Sequence, residues 1–68
     1  MQLTEKEKEI LTEIDLITDG FGEMQDYIIE CLKAKKYDLK IIRGVIGSLV
    51  KKGCIVYQED MIYMKEVF

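Results

Sequence analysis

The run DLKIIRGVIGSLVKKGCIVY, residues 38–57, begins with one periodicity and ends with another. Asp38 is a good N-cap residue. Leu39, Ile42, Val45, Ile46, Leu49 and Val50 then recur at the spacing that gathers apolar side chains on one face of a helix. Lys51-Lys52-Gly53 puts cations in the last turn and glycine at the C′ position, so the spacing predicts a helix over about 38–52. From Cys54 the period shortens. Cys54-Ile55-Val56-Tyr57 and Met61-Ile62-Tyr63-Met64 are β-prone runs separated by Gln58-Glu59-Asp60, and they predict a hairpin over about 54–65. An isolated two-stranded ribbon is marginal in water. No third strand is legible, so the hairpin must pack on helices.

Working upstream, Thr4 and Glu7 form a capping box, in which the Thr hydroxyl accepts from the Glu7 amide and the Glu7 side chain returns to the Thr4 amide. A first helix over about 4–18 carries Leu3, Ile10, Leu11, Ile14 and Ile17 at helical spacing, and Asp19-Gly20 stops it. After Phe21-Gly22 a second helix, about 22–36, carries the stripe Met24, Tyr27, Ile28, Cys31 and Leu32, all read as core packing. Only Lys35-Lys36-Tyr37 then separates it from Asp38, which is helix-turn-helix spacing. The expectation is one domain over residues 1–68, mainly α with a small β-hairpin. Its core should hold Ile10, Ile14, Ile28, Leu32, Ile42, Ile46, Leu49 and Ile55.

The composition narrows the chemistry. At 49% apolar residues, a chain of 68 can form a packed fold without a staple. Histidine is absent, and Cys31 and Cys54 are isolated, so the four-ligand spacing of a structural zinc site cannot be assembled and no metal or cofactor is expected. There is no Gly-rich phosphate loop, and Glu23, Asp26 and Glu30 read as a solvated helix face, so the chain is not expected to be an enzyme. No apolar run reaches the ~18 residues of a membrane span. The polar opening Thr4-Glu5-Lys6-Glu7-Lys8-Glu9 is unlike a leader, and together these features predict a cytoplasmic protein with free thiols.

The net charge of −3 hides a division along the chain. Residues 1–30 hold nine acids against Lys6 and Lys8, whereas residues 31–53 hold Lys33, Lys35, Lys36, Lys40, Arg43, Lys51 and Lys52 against Asp38 alone. A concentrated basic segment is what a polyanion-binding surface requires, because phosphates meet the local field rather than the net charge. At 100° per residue, Lys40, Gly44, Gly47 and Lys51 fall in one stripe opposite the apolar face, with Arg43 and Ser48 on its flanks. Each interior glycine weakens a helix by about 1 kcal/mol relative to alanine. Two readings account for them: a close approach to a groove, or tight packing of another helix or a second copy.

The order of three helices and a hairpin, with the third helix ending in SLVKKGCIVY, resembles the winged-helix DNA-binding domains of prokaryotic and phage regulators. The most specific part is Ile42, Ile46, Leu49, Lys52, Gly53 and Ile55, a hydrophobic position and a Leu shortly before a Gly, followed by an aliphatic residue that opens the wing. The resemblance implies a small transcriptional regulator that binds double-stranded DNA with its third helix in the major groove. Its DNA-binding residues would be Lys36, Lys40, Arg43, Gly44, Gly47, Ser48 and Lys51. Lys40 and Lys51 would meet phosphates, and Arg43 can make the bidentate contact to guanine. The hairpin departs from the pattern, since Gln58, Glu59 and Asp60 stand where many such wings carry Arg or Lys. That departure and the acidic first helix motivate the alternative, a winged-helix protein-interaction module, adaptor or inhibitor, whose acidic surface engages a basic partner without DNA binding. Leu16, Ile29, Ile41, Val67 and Phe68 fall off or beyond the stripes, and these spare apolar residues point to a homodimer.

Overall fold

Thr4 starts the first helix as its capping box predicts: Glu7 N–H donates to Thr4 Oγ1 at 3.1 Å, and Thr4 N–H donates to Glu7 Oε1 at 2.8 Å. The computed structural model describes residues 2–65. In chain order its elements are α1 (Glu5–Thr18), β1 (Glu23–Met24), α2 (Gln25–Ala34), α3 (Leu39–Lys51), β2 (Ile55–Gln58) and β3 (Met61–Met64). The fold is therefore mainly helical, with three helices and a small antiparallel sheet. Helix α1 stops at Asp19 in the left-handed region (φ 49°), followed by Gly20 at φ 82°. Helix α3 is capped by Asp38 and Lys52, with Gly53 at φ 76° just beyond. The Asp38 side chain makes no capping hydrogen bond.

The sheet has three strands rather than the expected two, in the order β1-β3-β2. Glu23 and Met24 pair with Ile62 and Met61, so residues expected to open the second helix form a strand instead, and α2 begins at Gln25. Gly22 permits this. A methyl group added there would overlap the Tyr63 ring, which lies against the Gly22 backbone. The Gln25 amide then donates to the Asp60 carbonyl at 2.9 Å, tying the start of α2 to the hairpin tip. That tip is a two-residue loop with Glu59 at φ 53° and Asp60 at φ 65°, both positive as a type I′ turn requires. The Tyr57 hydroxyl donates to Asp60 Oδ1 at 2.9 Å across it.

All eight residues expected in the core are buried, and Ile29, Ile62 and Met64 join them. Each fully buried aliphatic side chain of this size contributes roughly 1.5–3 kcal/mol relative to exposure. The inward face of α2 is rotated from the expected stripe. Ile28 and Ile29 flank Leu32 in projection, so Ile29 is buried while Tyr27 turns out, 55% exposed, and Cys31 is half-buried. Met24, now in a strand, is 49% exposed. On α3, Leu39 and Val50 were expected inside but lie at the solvent boundary, and Val45 is half-buried. Leu16 and Ile41 are exposed as expected, whereas Val67 and Phe68 lie outside the described residues. Both cysteines are free, and no described helix is long and apolar enough to cross a membrane.

Candidate nucleic-acid interface

The turn between α2 and α3 is held from outside, which determines where α3 presents its free face. Lys36 adopts φ 73°, and the Tyr37 amide donates back to the Leu32 carbonyl at 3.2 Å, closing the turn. The Tyr37 hydroxyl donates to Glu9 Oε1 at 3.2 Å, and Lys6 Nζ sits 5.3 Å from the centre of the Tyr37 ring. Burial and the Glu9 carboxylate raise the Tyr37 pKa above its ordinary value, so the hydroxyl stays a donor. Sequence periodicity pointed to neither of the last two contacts, because Glu9 and Lys6 lie on α1, about thirty residues from Tyr37.

The far end of α3 is pinned by Glu7, a buried carboxylate in the first turn of α1. Lys52 Nζ lies 2.7 Å from Glu7 Oε1, and the Ser48 hydroxyl donates to Glu7 Oε2. With the Thr4 amide also on Oε1, the carboxylate accepts from three donors. The Lys52 and Ser48 hydrogen bonds, followed by that of Thr4, lower the Glu7 pKa to about 2, overcoming the opposing effect of burial. This places Ser48 differently from the sequence projection. Its side chain is half-buried and committed to Glu7, so it positions α3 instead of facing a ligand.

The other six candidate residues are all exposed: Lys36 in the turn, and Lys40, Arg43, Gly44, Gly47 and Lys51 on α3. The seven cations of residues 31–53 divide cleanly. Lys33 pairs with Glu30 at 3.5 Å, Lys35 with Glu13 at 2.9 Å and Lys52 with Glu7, whereas Lys36, Lys40, Arg43 and Lys51 have no ion-pair partner among the described residues. Three of the four, Lys40, Arg43 and Lys51, are the cations that the projection placed on the exposed stripe, and Lys36 is the one that the resemblance added. Between them, a side chain added at Gly44 or Gly47 would meet nothing within 4 Å, so no neighbouring element in the fold requires either glycine. The tight-packing reading is thereby reduced to contact with another molecule.

Among the described residues, the face is thus cationic, free of bulk at its centre and free of internal salt bridges. Its charge is uncompensated, so an approaching polyanion displaces no protein carboxylate and encounters the full local field. The hairpin tip contributes the opposite sign, with Glu59 and Asp60 exposed. Among the described residues, no group of three His, Cys, Asp or Glu side chains is placed to hold a metal ion. No family model, curated protein or solved structure matches the chain at a significant level.

Proposed function

We propose that this chain is a winged-helix DNA-binding regulator that reads the major groove with α3. The observation that carries the reading is the exposed stripe of Lys40, Arg43, Gly44, Gly47 and Lys51, whose cations have no partner among the described residues and whose glycines have open space above them. The order of three helices before a hairpin supports it, as does the short helix-to-helix turn. Lys36, Lys40 and Lys51 supply phosphate contacts, and Arg43 supplies a bidentate donor pair for guanine O6 and N7. The acidic hairpin tip stays clear of the phosphates. Titration with mixed-sequence duplex DNA tests the proposal: micromolar binding that weakens steeply as salt rises is expected, and absence of binding at every salt concentration refutes it.

A second reading is favoured by a specific feature of the sheet. Directly opposed residues share a face, so Met24, Val56, Gln58, Met61 and Tyr63 point away from the core-facing Ile62 and Met64. An antiparallel sheet usually turns polar side chains to solvent, and here the outward set is mostly apolar, with Gln58 and the Tyr63 hydroxyl as its polar groups. A protein-interaction module, or a homodimer built on this face, accounts for that pattern. If the chain binds no DNA, the module is the better account. Sedimentation of the free protein separates monomer from homodimer in either case.

A further inference from the structure

Arg43 shares its edge of α3 with two aliphatic side chains. Leu39 lies four residues before it and Val50 seven after, so the three follow one line along the helix. Ile46, between them, is 4% exposed, whereas Leu39 and Val50 are 36% and 37% exposed. The line therefore marks the rim of the core, and at both ends it delivers apolar surface to the cationic face. Phosphates offer nothing to such side chains. In the major groove, by contrast, the base edges present one apolar group, the C5-methyl of thymine.

We propose that Leu39 and Val50 are specificity-determining residues that pack on pyrimidine C5-methyl groups on either side of the guanine read by Arg43. The proposal rests on the reading of α3 as the groove helix. The partner is duplex DNA because the apolar rim borders the four unpaired cations, Lys36, Lys40, Arg43 and Lys51, and their charge is complementary to phosphate. A rise of about 1.5 Å per residue puts Leu39 roughly 6 Å and Val50 roughly 10 Å from Arg43 along the axis, in opposite directions. These offsets place the two contacts within a few base pairs of the guanine, one on each side. Ile41, 43% exposed, lies on the opposite edge of the cationic face, about 160° from Arg43, and serves as the internal control.

The experiment begins with selection of preferred duplexes from a random pool. Each thymine of the selected site is then replaced by deoxyuridine, which deletes the methyl group alone, and affinities are compared. Loss of about fourfold per methyl is expected at one position on each side of the guanine. Leu39→Ala should abolish the thymine preference on one side and Val50→Ala on the other, while Ile41→Ala leaves both. All three side chains are exposed and alanine favours helix, and thermal unfolding verifies that the variants remain folded. A selected site without thymine near the guanine, equal affinity for thymine and deoxyuridine, or a preference untouched by Leu39→Ala and Val50→Ala each overturns the inference while leaving the groove reading intact. Failure to bind any duplex in a salt-sensitive manner overturns both together.

Discussion

Glu7 shows how much one side chain organises here. It closes the capping box of α1 and receives Ser48 and Lys52 from α3, so it couples the start of one helix to the end of another. Its folded pKa of about 2 lies below the ordinary 4.5. A depressed carboxylate pKa means stability that is present above the unfolded value and is lost as pH falls from about 4.5 towards 2. Glu7→Gln should therefore be less stable than wild type at neutral pH and should flatten that acid limb, with the two proteins converging near pH 2 in urea unfolding. Equal stabilities at pH 7 would refute the role. Ser48 explains why its placement was not legible in the sequence: projection puts it at the margin of the exposed stripe, and its partner is 41 residues away. Gly44 and Gly47 make a complementary prediction. Since nothing fills the space above them, alanine at each should stabilise the free protein by about 1 kcal/mol, measured by thermal unfolding. Gly47→Leu should likewise fold yet fail to bind DNA, and normal binding by that variant would sink the groove reading.

At the scale of elements, the long-period features were legible and the strand that completes the sheet was not. Helices α1 and α3 and the hairpin follow from local spacing and from Thr4, Gly53 and the β-branched runs. Two residues, Glu23 and Met24, carry no measurable period, and they are extended because β3 offers them an edge some forty residues later. The signal that could have found β1 is Gly22, whose missing side chain makes room for Tyr63. Gly22→Ala should cost about 1–3 kcal/mol through overlap with the ring. A double-mutant cycle with Tyr63→Leu should recover most of that cost, and strictly additive effects would exclude the contact. The hairpin tip is also strained, because Glu59 holds a left-handed conformation that costs a β-carbon-bearing residue about 1–2 kcal/mol. Glu59→Gly should raise the denaturation midpoint, and as Glu59 stays clear of the proposed interface the change should not weaken DNA binding.

Over the whole molecule, the decisive quantity is where charge is left uncompensated. A chain of net charge −3 is repelled by DNA at long range, so binding depends on the paired cations being met by the protein's own carboxylates and the unpaired ones being gathered on one face. Lys33, Lys35 and Lys52 are held by Glu30, Glu13 and Glu7, and this sorting could not be read from composition because two of those three pairs join different elements. The remaining cations should then act in two distinguishable ways. Lys40→Ala and Lys51→Ala each remove a phosphate contact, so affinity should fall about equally on every sequence. The slope of log affinity against log salt should fall by roughly 0.9 for each. Arg43→Ala should instead cost about 1–3 kcal/mol on the preferred site and much less on random duplex, because it removes discrimination between base edges. Lys33→Ala and Lys35→Ala provide the contrast: their charges are already met by carboxylates, so each should leave the salt slope close to that of wild type. A slope that fell as much for Lys33→Ala or Lys35→Ala as for Lys40→Ala or Lys51→Ala would mean that binding follows total basic charge and that α3 has no privileged face.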